Sequence, residues 1–247
     1  KINFYSIKSS IKICELDISK FNSDNCKYTT LKRSTLINFL KKDLEELIKT
    51  NYNISKIDQI NKQIRISFEN DESDEYDYLI ISDGVFSKSK SLISNNEIKP
   101  KYNNTLAIRG ILPKSTQNID NKNIALFMGS NFHHVIYPVN TNGDLNFIAI
   151  MKYNLSKMDQ KDHSLYNDDN FIKKIFENIP QECKKFFDKI QEVKVFPVFV
   201  SSDFFNTKNN NIHLIGDAFF AFPPSFAQGA SQSIEGAYEL FKSIESN

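Results

Sequence analysis

Four short, largely apolar runs stand in the middle of the chain: residues 106–112, 124–127, 134–139 and 145–150. Short runs of this kind, bounded by turn signals, predict strands. Turn signals such as Asn142-Gly143 separate them, and no helical pattern intervenes. An antiparallel sheet is expected there. A further strand is expected over 193–200. Earlier in the chain, 52–57 and 64–68 read as strands, the second alternating at Ile64, Ile66 and Phe68. Residues 70–75 read as an acidic turn and 76–81 as the next strand. Residues 1–31 alternate weakly, which predicts short strands or a loop-rich entry. Helical spacing appears over 34–49, where Leu36, Ile37, Leu40, Leu44, Leu47 and Ile48 form one apolar face behind Ser34 as N-cap. Two more helices are expected over 169–178 and 181–190, divided by Pro180.

The stretch 212–237 combines several signals. A short apolar run, Leu214 and Ile215, stops at Gly216, and Asp217 follows at the carboxyl end of that strand. Open α/β sheets bind ligands at that end. Pro223 and Pro224 stiffen the loop, and Gln228-Gly229 lead into a helix with Ile234, Ala237, Leu240, Phe241 and Ile244 at helical spacing. A carboxylate at a strand end accepts hydrogen bonds from a polyol. A helix N-terminus offers N–H groups and partial positive charge to an electron-rich edge. A flavin needs both. The competing reading is a plain strand–loop–helix crossover with an incidental Asp. Ser82-Asp83-Gly84 repeats the strand-end carboxylate and glycine after 76–81.

Composition narrows the class. The 247 residues carry 31 basic and 30 acidic side chains, a net charge of +1 that gives no reason to expect nucleic acid. The length supports one large or two smaller domains. No apolar stretch is long enough for a transmembrane segment, and no signal-peptide pattern opens the sequence. Cys14, Cys26 and Cys183 have neither metal spacing nor a disulfide pattern, so a reducing cytoplasm is the expectation. The histidines, His133, His134, His163 and His213, lack the neighbours a zinc site requires, and no metal is expected.

Gly216-Asp217-Ala218 with Pro224, Gln228-Gly229 and Ile234-Glu235 resembles the second flavin motif of the FAD-dependent aromatic hydroxylases, the single-component monooxygenases that include salicylate, hydroxybenzoate and ubiquinone-pathway hydroxylases. Arg33 followed by Leu36 and Leu40 resembles the family's Arg-x-x-Leu segment. Ser82-Asp83-Gly84 resembles its Asp-Gly motif, with Lys90 where the family has arginine. Arg109-Gly110 and Tyr137-Pro138-Val139 resemble strands of its middle domain. The resemblance implies an α/β Rossmann-like FAD-binding domain from 1–97 and 201–247, with an inserted antiparallel β-sheet substrate domain over 98–200. It implies FAD held by Arg33, Asp83, Gly84, Gly216, Asp217, Pro224, Gly229, Ala230 and Ser231. NADH or NADPH and O2 are the implied co-substrates, and a small aromatic molecule is the one hydroxylated. Arg109, His134 and Tyr137 are candidates to line the substrate pocket; outer-face or satisfied positions are the alternative for each. A homodimer stays open.

The sequence departs from the family at several points. Ala218-Phe219-Phe220 stands where the family has two alanines and a histidine, Ala227 where it has glycine, and Gly236 where it has aspartate. Ser231 replaces a frequent asparagine. No Gly-x-Gly-x-x-Gly occurs, so the first βαβ unit is expected to be absent and the chain to be a fragment. A related reductase or halogenase, or a degenerate non-catalytic copy, are the other readings. If the position of Ala227 requires positive φ, the loop is strained there.

Overall fold

The four apolar runs do form strands, and each strand is longer than its run. The computed structural model describes residues 1–24, 27–94, 96–113, 122–139, 143–203, 205, 207 and 210–246. In chain order its first elements are β1 (Ile2–Ser6), β2 (Lys12–Leu16), α1 (Arg33–Lys41), β3 (Ile54–Ile60), β4 (Gln63–Phe68), β5 (Ser73–Tyr76), β6 (Leu79–Ile81) and α2 (Lys88–Ser94). Then come β7 (Lys101–Leu112), β8 (Ile124–Met128), β9 (Phe132–Pro138), β10 (Leu145–Lys152), α3 (Asp169–Glu177), α4 (Lys184–Phe187) and β11 (Gln191–Val200). The chain closes with β12 (Ile212–Leu214), α5 (Gly216–Phe220) and α6 (Gly229–Glu245). The protein is mixed α/β and divides into two compact units: Lys1–Glu45 with Asn104–Val198, and Glu46–Asn103 with Phe199–Asn247.

The first unit is built on a seven-stranded sheet in the order β11-β7-β10-β9-β8-β1-β2. β8, β9 and β10 form an antiparallel meander, and β10 pairs antiparallel with β7. Alternation sorts the side chains to two faces. Phe132 and Ile136 of β9, Leu145, Phe147 and Ala149 of β10, and Leu106 and Ile108 of β7 share one buried cluster, and His134 of β9 is buried against its Phe132 and Phe147 rings. Ile175, Ile179, Cys183 and Phe187 cover that face. The Asp168 carboxylate starts α3 by accepting from the Phe171 N–H at 2.8 Å. The second expected helix splits into a short 3₁₀ turn, Gln181–Cys183, and α4. It is shorter than its pattern because the chain enters β11 at Gln191.

Residues 1–45 differ from expectation. They go with this sheet and not with the segment 46–97. β1 runs parallel to β8, Ile2 opposite Ile124, and β2 lies at the sheet edge. The expected helix 34–49 ends at Lys41, and a 3₁₀ turn follows at Glu45–Leu47. Asp43 in the left-handed region (φ 65°) separates the two. Ser34 is not the N-cap; that position is Lys32, and Ser34 sits inside the first turn. Every residue of α1 is exposed or half-buried, with Phe39 73% exposed.

The second unit holds the antiparallel sheet β3-β4-β5 and the parallel pair β12-β6. β3 and β4 form a hairpin in which Ile60 faces Gln63, and Asn61 takes φ 57° in its two-residue loop. The expected strand 76–81 is split, since Tyr76 ends β5 and Leu79 begins β6. Ile64, Ile66, Ile81, Ile212 and Ala218 form this unit's core. Asn142 and Cys26 lie outside the described residues; Cys14 is exposed and Cys183 buried. Among the described residues, no helix is long and apolar enough to cross a membrane.

Candidate functional site

In the second unit the two parallel strands end side by side. Leu214 is in register with Ile81, and the Ile215 N–H donates to the Ile81 carbonyl at 3.0 Å. Both strand-end carboxylates therefore project beyond one sheet edge, the ligand-binding end of such pairs. Gly216 turns the chain with φ +58°. A Cβ there would lie 2.8 Å from the Ser233 Oγ, so glycine lets the strand end approach α6 closely. The Ser233 hydroxyl in turn donates to the Gly229 carbonyl at 2.7 Å. Asp217 is exposed in the first turn of α5.

The loop back to α6 is braced. The Ala221 N–H donates to the Ser201 Oγ at 2.9 Å and the Ser201 N–H to the Ala221 carbonyl at 2.8 Å. Pro224 opens a 3₁₀ turn that ends at Ala227, which takes φ 53° and ψ 31°. The left-handed conformation anticipated for this position is present, on a residue with a Cβ. Replacing Ala227 by glycine should raise stability by about 1 kcal/mol, since the left-handed region costs an L-residue roughly 1–2 kcal/mol and glycine's extra unfolded freedom offsets part of that. Denaturant unfolding checks it, and a fall in stability would show the loop is unstrained.

Gln228 precedes α6 without a side-chain cap from any described residue. The N–H groups of Gly229, Ala230 and Ser231 belong to the first turn and lie outside the helical ladder. A Cβ at Gly229 would meet nothing within 4 Å among the described residues, so the backbone there is open to a flat group. Strand end, α5 and α6 surround a pocket of about 810 Å³, lined among others by Gly216, Asp217, Phe219, Phe220, Gly229 and Ser233. That volume suits a small-molecule or cofactor site. Its lining includes the carboxylates Asp217, Glu235 and Glu239, and neither lysine nor arginine among the described residues. Such a field favours a polyol and a neutral ring over a pyrophosphate. The donor set and the open backbone at Gly229 fit a flavin's ribityl and ring portion.

The other candidates are placed as follows. Asp83 Oδ2 accepts from the Ser89 N–H at 3.1 Å, at the start of α2. Gly84 takes φ +84°. Lys90 is 4% exposed, and burial pulls its ammonium below the usual lysine range while Asp83 opposes that shift. Arg33 is the exposed first residue of α1, in the first unit. Arg109 and Tyr137 project from the sheet face opposite the buried cluster. The Arg109 guanidinium lies 5.8 Å from the Phe196 ring centre. Burial raises the Tyr137 hydroxyl above the usual tyrosine range, against a lowering pull from Arg109.

His134 points the other way. It is 0% exposed and stacks on Phe127 (4.5 Å between ring centres, 10° between planes) and Phe147 (5.3 Å, 22°). Cys183 Sγ is 3.7 Å from its Nδ1. His134 is thus a core residue and does not share a face with Tyr137. The reason is parity: three residues apart on one strand means opposite faces. Asn146 was not anticipated. It faces Tyr137 across β9 and β10, and its Nδ2 is buried without a hydrogen-bond partner among the described residues. Its alternation with Leu145 and Phe147 was a signal for the face, but not for the missing partner.

No family model and no curated protein sequence matches the chain. Solved structures do. The Klebsiella pneumoniae HpxO complexed with FAD and uric acid superposes with a TM-score of 0.75 at 14% identity, covering 95% of this chain and 60% of that one. A salicylate hydroxylase substrate complex gives 0.65 at 20% identity, over 83% of this chain and 55% of that one. The 2,6-dihydroxypyridine-3-hydroxylase of Arthrobacter nicotinovorans gives 0.63 at 17%, over 82% and 58%. The chain spans less than two thirds of the length of each of these proteins. At such identities the likeness is one of fold, and the fold is that of the FAD-dependent aromatic hydroxylases.

Proposed function

We propose that this chain forms part of an FAD-dependent monooxygenase that uses NADH or NADPH and O2 to hydroxylate an aromatic or similarly electron-rich small molecule. The observation that carries the reading is the pocket in which a strand-end carboxylate, Asp217, shares a rim with the uncapped N-terminus of α6. Asp217 would accept hydrogen bonds from ribityl hydroxyls. The N–H groups of Gly229, Ala230 and Ser231 would face the ring's pyrimidine edge, where their partial positive charge favours the reduced, negatively charged form. Pro224 stiffens the loop between them. Asp83, Gly84 and Arg33 would serve the dinucleotide side, and Arg109 and Tyr137 the substrate. When bound, FAD would accept hydride and activate oxygen; the residues named hold it and exclude water.

On this reading β6 and β12 belong to a Rossmann-like sheet whose first βαβ unit, with its glycine fingerprint, is not within this sequence. The seven-stranded sheet is then the inserted substrate domain. FAD titration of the chain, followed by flavin fluorescence, is the test. Saturable one-to-one binding is expected, and fluorescence that never saturates overturns the reading. A non-catalytic copy is the second reading, favoured by Phe219 and Phe220 in the pocket wall. Saturable FAD binding without substrate-stimulated NAD(P)H oxidation would favour it.

A further inference from the structure

We propose that the pocket of the second unit selects the riboflavin part of a flavin and resists a phosphate on its ribityl chain, so that riboflavin binds more tightly than FMN or FAD. The inference rests on the reading of this pocket as the flavin site, and it adds which part of the cofactor this chain grips. Asp217 of α5 and Glu235 and Glu239 of α6 line the pocket, with neither lysine nor arginine among the described lining residues. Glu235 and Glu239 stand at i and i+4 on α6 and so share one side of the helix. All three carboxylates are exposed. None has a lysine or arginine at ion-pair distance among the described residues. Facing them is the uncapped start of α6, whose free N–H groups amount to about half a positive charge. Three carboxylates against half a charge leave a field that repels anions.

A phosphate monoester on the ribityl chain carries about two negative charges, and the diphosphate of FAD carries as many. At ~10 Å in water and ~0.01 M salt, each carboxylate then costs such a ligand a roughly threefold loss of affinity. The ring and polyol meet the opposite situation. Phe219, Phe220 and Phe222 line the same pocket, and Phe219 is 45% exposed, so its face is open to a flat ring. A Cβ at Gly229 or at Gly236 would meet nothing within 4 Å among the described residues, so two glycines of the α6 wall leave backbone accessible to that ring. Asp217 accepts from the ribityl hydroxyls. These features use a neutral ring and a polyol and have no use for a phosphate. Whatever holds the diphosphate of FAD stands outside this pocket.

The test compares riboflavin, FMN and FAD on the intact chain by equilibrium dialysis read from flavin absorbance. It is run at pH 8 to keep imidazole charge out of the comparison, since His213 also lines the pocket. At ~0.01 M salt riboflavin should bind roughly tenfold more tightly than FMN, and FAD no more tightly than riboflavin. At about 1 M NaCl, where the Debye length is ~3 Å, the ratio of riboflavin to FMN affinity should fall below about twofold. Replacing Glu235 and Glu239 together by glutamine keeps their shape and should shrink the low-salt ratio by roughly fivefold. Phe219→Ala removes a ring contact instead, and should weaken all three ligands alike, by roughly threefold to tenfold. The proposal is overturned if FMN or FAD binds more tightly than riboflavin, or if salt and the glutamine pair leave the ratio unchanged; the flavin reading survives either result. If none of the three binds, the flavin reading itself fails and the proposal with it.

Discussion

Replacing Phe147 by alanine lowers the stability of the first unit by about 3–5 kcal/mol, the cost of a large aromatic lost from a packed core. Phe147 is 0% exposed. Its ring stacks on His134 at 5.3 Å and meets Phe187 edge-on at 5.0 Å and 81°. Phe132 and Phe127 pack on the same histidine, so the deletion leaves a hole walled by rings that sheet and helix hold in place. The site can collapse little, which puts the loss toward the upper end of the range. Denaturant unfolding followed by circular dichroism measures it. The companion change His134→Phe puts a larger ring into a fully buried site and costs about 1–3 kcal/mol, as overpacking does. It should leave FAD affinity unchanged. A loss below 1 kcal/mol for Phe147→Ala would contradict the placement of the core.

Gly110→Val is the second large effect. A Cβ on Gly110 would fall 2.0 Å from the Ile190 Cγ2 and 2.9 Å from the Gln191 carbonyl oxygen. The isoleucine methyl can turn aside, but the carbonyl belongs to the start of β11 and can move only with the strand. Overpacking of this kind costs about 1–3 kcal/mol, and valine's two extra carbons push toward or past the upper figure. Ile190→Ala in the same chain should recover part of the loss, since it relieves the side-chain clash and leaves the backbone one. The two changes would then couple, as contacting residues do. Purely additive effects would mean that β7 and β11 do not meet here.

The sheet was legible because short apolar runs between turn signals are a local signal. Runs at 106–112, 134–139 and 145–150 mark strands without knowledge of the partners, and the structure then shows which face of each is buried. The parity of His134 and Tyr137 was equally legible, and it separates them. What lay beyond the sequence were contacts across long separations. β1 pairs with β8, from Ile2 to Ile124, and nothing local in residues 1–31 marks that partner. The helix at 34–49 stops where Asp43 turns left-handed, against a pattern that continues to Ile48. The break between Tyr76 and Leu79 separates two sheets of different direction, which one apolar run cannot reveal. In the pocket, Gly216-Asp217 and Gln228-Gly229 were visible as motifs, and the departure at Ala227 pointed to its left-handed backbone. The unpartnered Asn146 amide needed the register of three strands.

The most direct measurement is the FAD affinity of the parent chain beside Asp217→Ala and Asp217→Asn. Asp217 is exposed at the pocket rim, so the substitution leaves the core of the unit untouched. A hydrogen bond to a charged acceptor is worth about 1.5–3 kcal/mol, which predicts a roughly tenfold to hundredfold weaker Kd for the alanine variant. Asparagine keeps one acceptor and should fall between. Parent and Asp217→Ala binding FAD equally well would contradict the assignment of this pocket to the flavin.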